Sequence, residues 1–169
     1  MRLGIFFHNI GGYHLARIRA ADAACTQRGW YLQAAQIQAS TIEHPWGDFS
    51  ATVLTTGPDV RPWLDDWNPD VLFVPGWGFT YSRQALRWCQ RQGKRAIAMS
   101  ESKYDDEPRQ WWRESLKSWL YIRHFDGAIV GGQQHKAYLE RLGMAAHRIF
   151  LGYDAVDNDH FAAPVPSPP

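Results

Sequence analysis

Cysteine is scarce in this chain, with only Cys25 and Cys89 in 169 residues. Two thiols so far apart exclude a disulfide framework and the paired spacing of a zinc site. Both fall in helical patterns among apolar or small neighbours, the setting of buried, reduced thiols in a cytosolic protein. Long apolar runs are also missing. The opening Met1-Arg2-Leu3-Gly4-Ile5-Phe6-Phe7 is too short for a signal peptide or a spanning helix, which leaves peripheral contact with the inner membrane face open. No excess of one charge sign exists. The formal net charge is +1, so no global field points to nucleic acid, and no basic run or nucleic-acid module occurs. An H-E-x-x-H, a G-x-S-x-G elbow and a clustered Cys/His set are all absent, so neither a metal nor a bound cofactor is expected.

What is present suits a globular domain. Hydrophobic residues make up 45% and charged residues 21% of the chain, the balance of a protein with a real core. The length fits one domain with a short tail, residues 1–161 and a Pro-rich linker or tail at 162–169. Nine tryptophans are many. Each has a large apolar ring and one donor, and most are expected to fill the core.

Along the chain, apolar runs alternate with helical patterns. Strands are read at 3–7, 30–38, 51–55, 71–74, 95–99, 126–130 and 148–151, with a loop at 40–48. Helices are read at 13–28, 82–92, 107–124 and 133–142, and residues 60–67 form a short helix at best. The 107–124 helix carries Trp112, Leu116, Trp119 and Leu120 on one stripe. Several strands are apolar on both faces, which requires cover on both faces. The expected fold is α/β, a doubly wound, mostly parallel Rossmann-like sheet with helices on each side.

Ligands of such sheets bind beyond the carboxyl ends of the strands, and the polar and aromatic residues of this chain concentrate there. Gly11 and Gly12 follow the first strand and open a helix whose N-terminus suits a phosphate or diphosphate. The turn is not a G-x-G-x-x-G and no P-loop lysine follows, which disfavours a dinucleotide or ATP site. Tyr13, His14 and Arg17 crowd the first turns of that helix and are read as acceptor contacts. Trp77, between two glycines, suits stacking on a sugar ring. The polar loop 100–106 supplies Glu101 and Asp105. Glu101 directly follows an apolar strand and is the carboxylate expected to face the cleft, where it can orient a hydroxyl or act as a base. Arg109, Arg113, Lys117 and Arg123 run along the next helix with Trp111 nearby; a solvated helix face is the favoured reading, and a basic-aromatic surface that meets anionic lipid or an anionic acceptor is the alternative.

The segment Gly152-Tyr153-Asp154-Ala155-Val156-Asp157-Asn158-Asp159-His160-Phe161 resembles the G-x-(D/N)-x-V-D-x-x-x-F sequence of family 4 glycosyltransferases. The stretch before it, Asp126-Gly127-Ala128-Ile129-Val130-Gly131-Gly132 with Tyr138-Leu139 and Leu142-Gly143, is similar to the last strand and helix of their N-terminal domain. Gly12-Tyr13-His14 with Arg17 is similar to the opening loop and helix of some members.

The resemblance implies one half of a GT-B fold: the acceptor-side domain of a retaining enzyme that needs no bound metal and takes a nucleotide-sugar as substrate and a glycan or lipid as acceptor. Gly11 and Gly12 match the loop that reaches the donor diphosphate. Glu101 falls near the strand end where many members carry a His, and this chain has Ser100-Glu101-Ser102 there. No second β/α domain follows residue 161, so the resemblance implies that the donor-binding domain was truncated or is a separate chain. Two other readings compete: a non-catalytic glycan- or lipid-binding module using Trp77, His14 and Glu101, and a doubly wound regulatory domain whose loops bind nothing.

Overall fold

The computed structural model describes residues 1–38, 53–106, 110–156 and 162. Seven strands form a single sheet: β1 (Arg2–Phe7), β2 (Tyr31–Gln36), β3 (Val53–Thr55), β4 (Val71–Pro75), β5 (Arg95–Ser100), β6 (Gly127–Val130) and β7 (Ile149–Leu151). Their order is β3-β2-β1-β4-β5-β6-β7 and every pairing is parallel. The helices are α1 (Gly12–Thr26), α2 (Arg61–Trp67), α3 (Thr80–Gln92), α4 (Trp111–Leu120) and α5 (Gln133–Arg141). This is the doubly wound Rossmann-like architecture that the alternation of patterns predicts. The expected 40–48 loop and the 161/162 boundary with its Pro-rich tail lie outside the described residues, apart from Ala162.

Alternate residues of the central strands go to opposite faces. Phe6, Leu72, Val74, Ala96, Ala98, Ala128 and Val130 build the larger core with Trp63 and Leu64 of α2, Ala85, Leu86, Trp88 and Cys89 of α3, and Tyr138 and Leu139 of α5. Each fully buried aliphatic or aromatic side chain of this kind stabilises the fold by about 1.5–3 kcal/mol. The other face carries Phe7, Ala34, Val53 and Met99 under Leu15 and Ile18 of α1. Among the described residues α1 is the only helix that contributes to this second core. Ile5, Phe73 and Ile129, on three central strands, therefore stay half-buried.

Local signals explain most boundaries. α3 ends at Gly93, whose φ of +63° is a left-handed cap that a Cβ would strain. α2 is the short helix expected there, seven residues long, and it holds because Trp63 and Leu64 anchor it in the core and Asn68 closes it at φ +47°. The long helix expected over 107–124 is cut. α4 stops at Leu120, and Ile122–His124 form a separate 3₁₀ turn that drives Ile122 into the core. The polar loop after β5 tightens into a 3₁₀ turn at Tyr104–Asp106.

Tryptophan is distributed otherwise than expected. Trp63, Trp77 and Trp88 are buried, while Trp30, Trp111, Trp112 and Trp119 are exposed. Three of the inner indoles have their N–H groups matched: Trp63 donates to Gln33 Oε1 at 2.6 Å, Trp88 to Asp65 Oδ1 at 2.7 Å and the half-buried Trp67 to the Leu3 carbonyl at 2.9 Å. Three of the four exposed ones lie on α4, whose inward side is polar. Cys25 and Cys89 are both buried and free, and burial pushes the Cys89 thiol up to about 12.

Candidate active-site rim

Because every strand runs the same way, the segments after β1, β4, β5, β6 and β7 share one rim. The sheet order reverses between β1 and β4, which is where an open α/β sheet leaves its ligand crevice.

The glycine turn after β1 is held from beneath. Gln36, buried at the end of β2, accepts from the Ile10 amide at 3.1 Å and donates to Thr55 Oγ1 at 3.2 Å. Gly11 is the N-cap of α1, and its amide donates to His14 Nδ1 at 3.3 Å. This corrects part of the sequence expectation. The Gly11 amide is already engaged by the protein, and His14 works first as the side chain that closes the turn. Gly12 differs. Among the described residues a Cβ there would meet nothing within 4 Å, so none of them demands glycine at that position. The open space lies in front of a helix N-terminus, where the first amides lack intrahelical acceptors. Tyr13 is 50% exposed beside it.

A second group joins elements far apart in sequence. Arg17 of α1 donates from Nε to the Ala155 carbonyl at 2.9 Å, lies 3.9 Å from Asp154 Oδ1 and sits 5.1 Å above the Tyr153 ring. Glu101, one residue past β5, shares a hydrogen bond with Asp154. Partial desolvation raises the Glu101 pKa, the hydrogen bond and charge of Asp154 raise it further, and Arg17 opposes them. The same surroundings, burial first, push Tyr153 up to about 12. The Asp154 carboxyl closes directly over Gly131: a Cβ built on that glycine would overlap Asp154 Oδ2 and stand 3.3 Å from His135 Cε1. His135, on the first turn of α5, has a buried Nδ1 without a hydrogen-bond partner among the described residues. Chemically, a carboxyl pair held beside one guanidinium can orient hydroxyl groups and hold or release a proton at the Glu101–Asp154 contact.

His14 and Arg17 act on each other. Burial, and then the nearby Arg17 charge, hold His14 below its ordinary 6.5. Neutral His14 therefore contributes stability above pH 6.5, and that contribution is lost as pH falls through the folded value. Arg17→Met should raise the titration midpoints of both His14 and Glu101. NMR pH titration of the imidazole and the carboxyl carbon checks this, and midpoints unmoved in the variant would refute the electrostatic account.

The rim also holds a cleft of about 520 Å³ between α3 and α4, lined by Trp77, Phe79, Arg83, Ser102, Arg113 and Lys117 among others. Trp77 is 9% exposed and packs in the larger core, so it forms a wall and not a free stacking platform. The exposed ring is Phe79, at 52%. It stacks on Tyr81 at 4.9 Å and on His8 at 5.9 Å, and Tyr81 Oη lies 3.2 Å from His8 Nδ1. Asp105 stands exposed on its 3₁₀ turn, and among the described residues it makes none of the contacts that unite Arg17, Glu101 and Asp154.

Of the sequence candidates, the structure brings Glu101 and Arg17 together, places Gly11, Gly12, Tyr13 and His14 on the adjoining turn, and leaves Asp105 apart. Sequence reasoning missed Phe79 and Tyr81; it noted His8, Tyr153 and Asp154 as residues that follow strands but gave none of them a role at the site. His8, Tyr153 and Asp154 each directly follow a strand, and that position was the available signal. Among the described residues no group of three or more His, Cys, Asp or Glu side chains could hold a metal ion.

Fold and rim together define a class, one Rossmann-like half of a GT-B architecture. Solved structures of that kind superpose on nearly the whole chain. Anabaena HepE in complex with UDP-glucose aligns with a TM-score of 0.64 at 11% identity, over 94% of this chain and 45% of its own. A UDP-N-acetylglucosamine 2-epimerase aligns at 0.58 and 13%, over 89% and 47%. The UDP-GlcNAc 2-epimerase of Neisseria meningitidis bound to UDP-GlcNAc aligns at 0.55 and 14%, over 89% and 45%. The chain thus spans less than half the length of each of these structures. No protein-family model matches the sequence, and no curated protein matches it.

Proposed function

We propose that this chain is the acceptor-side wall of a retaining glycosyltransferase, which passes a sugar from a nucleotide-sugar to a glycan or lipid acceptor. The donor-binding wall comes from another domain or a separate chain. The observation that carries this reading is the convergence of the glycine turn, Arg17, Glu101 and Asp154 on the carboxyl rim of half a GT-B sheet. It is supported by the sequence resemblance at residues 152–161 and by similar structures that hold UDP-glucose or UDP-GlcNAc. The second sheet face, with Ile5, Phe73 and Ile129 half-buried, is consistent with further polypeptide packing there.

In this reading the first amides of α1 meet the donor diphosphate through the open space at Gly12. Glu101 and Asp154 orient the acceptor hydroxyl and share its proton as transfer proceeds. Tyr13, Trp77 and Phe79 shape the acceptor's approach. A transition state is stabilised from both sides, so one wall by itself accelerates transfer little.

Reconstitution tests the proposal. The chain, mixed with a donor-binding half of a family 4 enzyme and assayed with a nucleotide-sugar, should gain transfer activity over either half alone. Gly12→Ala should leave thermal stability unchanged or slightly raised, since a Cβ there is unhindered and alanine favours the helix by about 0.5–1 kcal/mol. The same change should weaken nucleotide-sugar binding by about tenfold or more, through crowding of the diphosphate. Proven association of the halves without any gain in turnover would count against the reading.

A further inference from the structure

α4 is turned inside out. The three of its residues that are not exposed are all polar, and each is tied to the protein. Lys117 Nζ donates to Tyr138 Oη at 2.7 Å and to Glu114 Oε1 at 2.9 Å, Tyr138 Oη donates to Glu114 Oε2 at 2.6 Å, and Ser118 Oγ donates to the Leu142 carbonyl at 2.5 Å. The apolar residues face out instead. Trp111 is 81% exposed, Trp119 60%, Trp112 49%, Leu116 47% and Leu120 37%. At about 100° per residue these five fall within one half of the helix circumference. A surface helix ordinarily buries such a stripe, so leaving it in water forfeits the burial that would stabilise it. A contiguous apolar face of this size marks a site of interaction.

The surroundings indicate what covers it. Arg113 lies 5.1 Å over the Trp112 ring and Arg123 lies 5.9 Å over the Trp119 ring, which fixes two cations at the border of the apolar arc. The one acidic residue of α4, Glu114, is turned inward and held by Lys117 and Tyr138. An apolar centre with indoles at both ends and a cationic border matches the headgroup–acyl boundary of an anionic bilayer, with the helix lying in the interface plane. An isologous pairing of two α4 faces would instead bring the same cationic border against itself. No helix among the described residues is long and apolar enough to cross a membrane, so the contact is peripheral.

We infer that α4 is a membrane-docking helix, which seats Trp111, Trp112, Leu116, Trp119 and Leu120 in an anionic lipid surface with Arg113 and Arg123 at the phosphates. Leu116 also lines the cleft that holds Arg83, Arg113 and Lys117, so docking turns the mouth of that cleft toward the lipid headgroups. This inference does not depend on the enzymatic reading and extends beyond it.

Co-sedimentation of the 169-residue chain with mixed phosphatidylglycerol–phosphatidylcholine vesicles provides the test. Binding should be strong at low salt, weak in molar salt and weak on pure phosphatidylcholine. Brominated acyl chains should quench tryptophan emission. The double change Trp111→Ser, Trp119→Ser should lower the partition coefficient by about tenfold or more with an unchanged far-UV spectrum, since both rings are exposed. Arg113→Glu with Arg123→Glu should lower binding to the anionic vesicles alone, and it serves as the second variant if the first does not fold. Failure to bind anionic vesicles, equal binding by the folded variants, or a lipid-free dimer that the Trp changes dissolve would overturn the inference.

Discussion

Gly131→Ala should dismantle the carboxyl cluster while leaving the sheet intact. Its Cβ would occupy the space of Asp154 Oδ2 and press on His135, so the Gly152–Ala155 segment must shift. Overpacking of this kind costs about 1–3 kcal/mol, read as a lower denaturant midpoint. The functional consequence is larger. Once displaced, Asp154 can no longer hydrogen-bond Glu101 or stand 3.9 Å from Arg17. The Glu101 midpoint should then fall back toward its ordinary 4.5, because desolvation alone would still raise it. Folded Glu101 keeps its proton above the pH at which the unfolded residue loses it. Its contribution to stability is therefore present below about pH 4.5 and is lost as pH rises through the folded value. In the variant that stretch of the stability–pH curve should flatten. A Glu101 titration identical in both proteins would show that the pair does not depend on the close approach at Gly131.

Phe6→Ala should have the largest effect on stability, about 3–5 kcal/mol, because it empties a fully buried aromatic site in a central strand. Phe6 meets Trp63 edge-on at 6.0 Å and Tyr81 at 6.2 Å, so its loss removes support from two helices at once. Tyr81 carries the consequence to the rim. Burial holds its hydroxyl up at about 12, and its ring keeps Phe79 and His8 stacked. In the variant the Tyr81 titration should move down toward 10.0, and the His8–Phe79 stack should loosen. Urea unfolding and ultraviolet pH titration measure the two effects. A loss of stability without any change at Tyr81 would separate the core from the rim.

Much of the architecture could be read in the residues. Val71-Leu72-Phe73-Val74 is apolar on both sides, and only a strand covered on both faces can be so, which points to a parallel sheet. Gly93 marks the end of α3 because a left-handed cap is a local requirement. Gly12 was identified by its position after a strand, and the open space before it is what that position implies. The cluster around Arg17 was only half visible. Glu101 follows β5 and Asp154 follows β7, and nothing local in either segment announces that the two carboxyls meet.

The division between what composition and order decide and what packing decides is therefore physical. Backbone preference and hydrophobic period act over a few residues, so the sequence by itself determined the alternation of strand and helix, the parallel sheet and the rim on which polar residues gather. Contacts between distant segments depend on strand order and on how deeply each side chain sits. Only the tertiary structure decided that Asp154 closes over Gly131 onto Glu101, that His14 caps its own turn and that Trp77 lies in the wall. The stripe of α4 shows the limit most plainly. A 3.6-residue period states that one side is apolar, and the direction that side faces is set by Tyr138 and the Leu142 carbonyl, which draw the polar side inward.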